Sequence, residues 1–186
     1  MKVIFLDIDG VMNNINHAEE LRLSRKDKET PLDWDLPYEG TIKPLKRIID
    51  STGAIVVLSS TWRYRRIPML NRIFEPYGFQ IADKTCNGVL LSKLEECGFD
   101  TKQCYDAKYR DFDINSHYTT HTYDRGAEIA WWLHEHPEVE SFVIIDDDCE
   151  DIVNYYEDNF VKTDFYNWGL TEELADKAIE ILNKEV

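Results

Sequence analysis

The chain has 186 residues, 43% of them apolar and 12% aromatic, enough for one packed domain that needs neither disulfides nor a structural metal. Its 21 Lys and Arg stand against 36 Asp and Glu, and the resulting net charge of -15 repels nucleic acid and anionic membrane at long range. Any anionic partner must therefore be held by local positive charge or by a metal.

Residues 1–10 do not read as a signal peptide, because Asp7 and Asp9 interrupt a short apolar stretch. No apolar run approaches membrane-spanning length. A soluble, cytoplasmic protein is expected, with no membrane partner and no stable protein partner. The first run, "KVIFLD", predicts a buried strand, and "IDG" then leads the chain out of the sheet. Residues 13–40 are polar and charged, carry two prolines, and read as an insertion. "IKPLKRIID" predicts a helix, "AIVVLSS" a second strand, "IPMLNRIFEPYG" a helix and "FQIAD" a third strand. Residues 86–122 mix Cys, Tyr, Asp and His without a clear period and read as a second insertion. "RGAEIAWWLHEH", "SFVIIDD", "EDIVNYYED" and "FVKTD" then alternate helix, strand, helix and strand. The closing helix, "TEELADKAIEILNK", has Thr171 as N-cap, Glu172 and Glu173 in its first turn, and Leu174, Ala178 and Ile181 as an apolar stripe.

Such alternation predicts an α/β fold, a mainly parallel five-stranded sheet covered on both faces, as a single domain over residues 1–186. Cys86, Cys97, Cys104 and Cys149 include no CxxC pair and are expected as free thiols. A zinc site combining some of them with His117 and His121 is the alternative.

Ligands of open parallel sheets bind outside the carboxyl ends of the strands. Past the first strand come Asp7, Asp9 and Gly10; past the second, Ser59, Ser60 and Thr61; past the fourth, Asp146, Asp147 and Asp148. Carboxylates converging from two strand ends make an oxygen-rich site for a hard cation, with Mg2+ the natural candidate. An EF-hand is excluded, because the glycine falls at the fourth loop position and a strand precedes it. Beside a metal, Asp7 can attack a phosphoryl group to give an aspartyl-phosphate. Asp9 can protonate the leaving oxygen and then activate water, while Gly10 permits the sharp turn.

"DIDGV" after "VIFL" resembles the first motif of the haloacid dehalogenase-like (HAD) superfamily, "IVVLSS" its second and "VIIDDD" its fourth. The resemblance implies a three-layer Rossmann-like fold with only small cap insertions. It assigns Asp7 as nucleophile and metal ligand, Asp9 as general acid and base with a place at the metal, and Ser59 as hydroxyl donor to the phosphoryl oxygens. Asp146 is a further Mg2+ ligand, with Asp147 as a second ligand or as support behind it, and Gly10 and Ser60 belong to the substrate site. An acid two residues after the nucleophile is the phosphatase pattern. The third motif is normally a lysine; here Arg125, opening "RGAEIAWWL", is the best-placed cation, with Lys93 and Lys108 as alternatives.

"LSSTWR", "RGAEIAWWL", "VIIDDD" and "VKTDFYNWGLTEELADKAIEIL" are similar to the HAD domains associated with RNA-repair proteins, inferred to be polynucleotide end phosphatases. Members of the superfamily without a large cap leave the site open to macromolecules; residues 13–40 are too short for a closed cap and residues 86–122 offer a partial lid, so the resemblance implies a large substrate, such as an RNA or DNA end. In "STWRYRRIP", Arg63, nearest to Ser59, is the expected substrate contact within an aromatic and basic cluster. A mononucleotide or other small phosphate ester is the alternative substrate, and a binding module that has lost turnover is the alternative class.

Overall fold

The computed structural model describes residues 1–24, 36–104, 107, 120–148 and 151–184, with backbone only at 153 and 154. Lys108, His117 and Cys149 lie outside the described residues. The strands are β1 (Lys2–Leu6), β2 (Ile55–Leu58), β3 (Ile81–Lys84), β4 (Val89–Leu90), β5 (His121–Thr122), β6 (Ser141–Asp146) and β7 (Phe160–Lys162). Five of them form a parallel sheet in the order β3-β2-β1-β6-β7, as the five apolar runs predict. The chain builds outward from β1 to β3 and then returns to the other side of β1, so the strand order reverses between β1 and β6. A crevice for ligand is expected at that reversal.

The helices are α1 (Ile15–Ser24), α2 (Glu39–Thr52), α3 (Ile67–Phe74), α4 (Leu91–Glu96), α5 (Arg125–Glu135), α6 (Val153–Tyr156) and α7 (Glu172–Asn183). The continuous apolar runs of the strands divide by the period of two that a pleated strand imposes. Ile4, Leu6, Val56, Leu58, Val143 and Ile145 face a core closed by α2, α3 and α7. Val3, Phe5, Val57 and Ile144 face the opposite core, closed by Ile129 and Trp132 of α5 and by Ile152. Both faces of the sheet are thus covered, which gives three layers.

Thr171 caps α7 by accepting from the Leu174 N–H at 3.3 Å, as its sequence predicts. The buried face of α7 is Ala175, Ala178 and Leu182, with Leu174 and Ile181 at its flanks, a rotation of one position from the expected stripe. The two alanines let the helix sit close to the sheet.

Both insertions contain structure that periodicity does not announce. The first carries α1, none of whose residues is buried. The second carries α4 and the antiparallel β4–β5 pair, in which Val89 faces Thr122. Val89, Leu94, Cys104 and Ala127 form a small satellite core there. Cys86, Cys97 and Cys104 are free thiols. Among the described residues no helix is long and apolar enough to cross a membrane.

Candidate active site

Leu6 pairs with Leu58 on one side and Ile145 on the other. The next residue of each strand, Asp7, Ser59 and Asp146, therefore emerges at one level of the carboxyl edge. Backbone bonds hold that level, from Asp7 N to Ile145 O at 3.0 Å and from Ser59 N to Leu6 O at 2.9 Å. All three residues are buried, and Ser59 Oγ has no hydrogen-bond partner. A buried unpaired hydroxyl is costly unless a ligand completes it.

Asp7, Asp146 and Asp147 each bring a carboxylate oxygen within 4.8 Å of the others. Arg125, the first residue of α5, reaches into this group: its Nη1 lies 3.0 Å from Asp7 Oδ2 and is hydrogen-bonded to Asp146 Oδ2. Its backbone N–H donates to Asp151 Oδ2 at 2.6 Å, which anchors the start of the helix. Gly126 is required beside it, because a Cβ would overlap the Asp151 carbonyl oxygen and the Tyr155 ring.

Burial pushes the Asp146 carboxyl well above the usual range, against the pull of Arg125. Burial also raises Asp147, and the charge of Asp7 adds to that shift. For Arg125, burial alone would lower the pKa, but Asp7 and Asp146 more than offset it, so the guanidinium stays charged. Among the described residues, three clustered carboxylates thus face the one guanidinium of Arg125, which leaves the group short of positive charge. Three converging carboxylate donors with a charge deficit fit Mg2+.

Asp9 stands apart from that group. Its Oδ1 accepts from Asn13 Nδ2 and its Oδ2 from Trp62 Nε1, each at 2.9 Å. The expected metal cluster forms from Asp7, Asp146 and Asp147 without Asp9, whose two oxygens accept these hydrogen bonds in an orientation fixed from two sides. Sequence reasoning missed Asn13 and Trp62. The signals were an amide four residues past Asp9 and an indole in the turn after β2, whose ring packs in the core while its N–H needs a partner. Trp62→Phe keeps the packing and removes one donor to a carboxylate, an interaction worth roughly 1.5–3 kcal/mol. If Asp9 is the proton-transfer group that the resemblance implies, turnover of alkyl phosphates is expected to fall about tenfold or more. Aryl phosphates, whose leaving groups need less protonation, are expected to lose less, as steady-state kinetics on the two substrate types would record.

Gly10 has φ 73°, and a Cβ on it would overlap the Asp147 carboxyl, so the turn and the third carboxylate depend on the same residue. Gly10→Ala is expected to cost about 1–3 kcal/mol of stability and to weaken Mg2+ binding by displacing Asp147. Thermal melts with and without Mg2+ check both effects.

Two expected substrate contacts are employed otherwise. Ser60 Oγ accepts from Trp62 N at 3.3 Å and caps the 3-10 turn Thr61–Tyr64. Arg63 is buried, with Nη2 at 2.9 Å from Glu128 Oε2 and further bonds to Thr85 and Asn87. Glu128, whose carboxyl burial pushes up to about 7, also accepts the Gly88 N–H at 2.7 Å. Arg63 therefore ties α5 to the segment following β3 rather than facing solvent. Arg63→Ala leaves Glu128 buried without its partner and is expected to cost roughly 3–5 kcal/mol in a denaturant melt. Lys93, the other described candidate for the third-motif cation, lies over the Trp131 ring at 4.6 Å.

A parallel sheet that delivers an aspartate from its central strand, a serine and a second acidic group from the strands beside it, and an arginine from a helix start has the architecture of a HAD-like domain. The model of the family described as "HAD domain in Swiss Army Knife RNA repair proteins" matches residues 3–175, and the chain belongs to that family. Neither curated proteins nor solved structures give a significant match. Membership supports a hydrolase of the phosphatase class.

Proposed function

We propose that the chain is a Mg2+-dependent phosphomonoester hydrolase that works through an aspartyl-phosphate on phosphorylated polynucleotide ends. The observation that carries the chemistry is Arg125 in contact with both Asp7 and Asp146, beside the unpartnered Ser59 hydroxyl. Residues 1–186 would act as one domain, in the cytoplasm, where the free thiols of Cys86 and Cys97 persist. Asp7, Asp146 and Asp147 would hold Mg2+, which when bound offsets the repulsion between carboxylate and phosphate and polarises the phosphoryl oxygens.

In the first half-reaction an Asp7 carboxylate oxygen attacks phosphorus as the ester P–O bond breaks, and Asp9 gives its proton to the departing alkoxide. Arg125 and the Ser59 hydroxyl hold the phosphoryl oxygens while charge shifts between them. In the second half, Asp9 takes a proton from a water whose oxygen attacks the phosphorus. The bond to Asp7 then breaks, inorganic phosphate leaves, and both carboxyl groups return to their starting states. Asn13 and Trp62 hold Asp9 in one place for both proton transfers.

Family membership supports a nucleic acid end as substrate. The test is phosphate release, with Mg2+ and with EDTA, from oligonucleotides bearing a 3′- or 5′-phosphate, beside mononucleotides and an aryl phosphate. Release from one oligonucleotide end, abolished by EDTA, is the expected result. Activity on small esters alone overturns the substrate, and Mg2+ binding without release anywhere overturns the enzyme in favour of a binding module.

A further inference from the structure

Arg63 and Glu128 form a buried ion pair that the proposed phosphoryl chemistry does not use. Their side chains are 8% and 1% exposed, and Nη2 of the arginine meets both carboxylate oxygens, Oε1 at 3.0 Å and Oε2 at 2.9 Å. Both partners have further bonds. Glu128 Oε1 accepts the Gly88 N–H at 2.7 Å, and the guanidinium donates to Thr85 Oγ1 at 3.1 Å and to Asn87 Oδ1 at 3.2 Å. Taking two charges out of water is costly, and a well-packed apolar pair of similar volume often stabilises a fold as much. What an apolar pair lacks is direction, since a guanidinium fork on a carboxylate fixes the two groups in one mutual orientation.

The two partners stand on elements that support different parts of the site. Arg63 follows Trp62 in the 3-10 turn Thr61–Tyr64; the Trp62 ring packs in the core closed by α2, α3 and α7, and its Nε1 donates to Asp9 at 2.9 Å. Glu128 lies one turn beyond Arg125 on α5, which covers the opposite face of the sheet, and its N–H donates to the Asp124 carbonyl oxygen at 3.0 Å to close that first turn. The pair therefore clasps the two layers together past the carboxyl end of β2, with the donor that orients Asp9 on one side and the helix that carries Arg125 on the other. A proton donor and a phosphate-holding cation must meet one phosphoryl group in one geometry. A displacement of about 1 Å between such groups costs up to about 10^2 in rate.

We infer that Arg63 and Glu128 are positioning residues for phosphoryl transfer, acting on Asp9 through Trp62 and on Arg125 through the first turn of α5. This inference rests on the phosphatase reading and deepens it, because it gives the buried charges a task that packing alone does not require. Arg63 holds the turn from which the indole reaches Asp9, and Glu128 holds the helix start from which the guanidinium of Arg125 reaches Asp7 and Asp146.

Two conservative variants test this. Glu128→Gln keeps the size of the side chain and an acceptor for the Gly88 N–H, and Arg63→Lys keeps a cation without its fork. Thermal melts establish that both fold. Each is expected to lower kcat on an alkyl phosphate about tenfold with little change in KM. An aryl phosphate, whose leaving group needs less protonation, is expected to lose less. With Trp62→Phe already present, Glu128→Gln is expected to cost only about threefold, because one of its two routes is already cut. An NMR spectrum of the indole N–H groups follows that route without turnover. The Trp62 resonance, assigned by its absence in Trp62→Phe, is expected to shift and to exchange faster with water in both variants. That of Trp132, whose Nε1 donates from the same helix α5 to Asp83 at 2.8 Å, is expected to move less. Unchanged kcat with an unmoved Trp62 resonance overturns the inference. So does an equal loss on both ester types with both indoles displaced, or the failure of both variants to fold, since either makes the pair a support of the fold alone. Absence of phosphate release by the unmutated protein from any ester overturns the phosphatase reading instead, and the indole spectrum still decides whether the pair orients Asp9.

Discussion

Asp7→Asn is expected to abolish phosphate release, by a factor of about 10^3 or more, while the protein still folds. The substitution keeps the shape of a buried side chain and the backbone bond from residue 7 to Ile145 O at 3.0 Å. What it removes is the nucleophile, since a neutral amide does not displace an alkoxide from phosphorus. Its effect on stability is small because two changes oppose each other: the ion pair to Arg125 is lost, and the repulsion of Asp7 with Asp146 and Asp147 is relieved. Circular dichroism and a thermal melt establish the fold, and phosphate release measures the loss. The unmutated protein, quenched during turnover and treated with hydroxylamine, is expected to give an acyl hydroxamate at residue 7 that the variant lacks. Turnover retained by the variant would sink the aspartyl-phosphate mechanism.

The fold was legible in the sequence where burial acts on both faces of an element. The three central strands β1, β2 and β6 are short apolar runs ended by polar residues, a pattern that two covering helix layers impose, while the edge strand β3 buries only Ile81. The β4–β5 pair escaped because each strand has only two residues, too few for any period, and α4 with the rest of the second insertion separates them along the chain. α1 escaped because none of its residues is buried, so no apolar stripe marks it.

At the site, Asp7, Ser59, Asp146, Asp147 and Arg125 were legible because strand and helix ends place them, and those ends follow from hydrophobic pattern. Ser60, Arg63 and Trp62 were not. They share one 3-10 turn and its cap, and which of them points inward depends on Glu128, 65 residues beyond Arg63, and on Asp9. In such a turn an arginine is buried if a carboxylate from another element meets it, and here Tyr64, Arg65 and Arg66 are left at the surface. Nothing local in "STWRYRR" tells Arg63 from Arg66.

Arg125→Ala is expected to lower kcat/KM by about 10^2–10^3, with Arg125→Lys between it and the unmutated protein. The guanidinium touches Asp7 and Asp146 together, and an ammonium, a compact point charge, reproduces the charge but not the paired geometry. The effect also has a reading that does not involve turnover. Without Arg125 the clustered carboxylates of Asp7, Asp146 and Asp147 lose the cation that contacts them among the described residues, and the Asp146 carboxyl, already raised by burial, rises further. The variant is therefore expected to melt at a lower temperature than the unmutated protein in EDTA and to recover more on adding saturating Mg2+, because the ion then supplies the positive charge that the arginine did. A variant with the unmutated rate would transfer the third-motif role to another cation. One that loses its rate but shows the same Mg2+ response as the unmutated protein would place Arg125 on the phosphate alone, and would separate its contact with Asp146 from the holding of the metal.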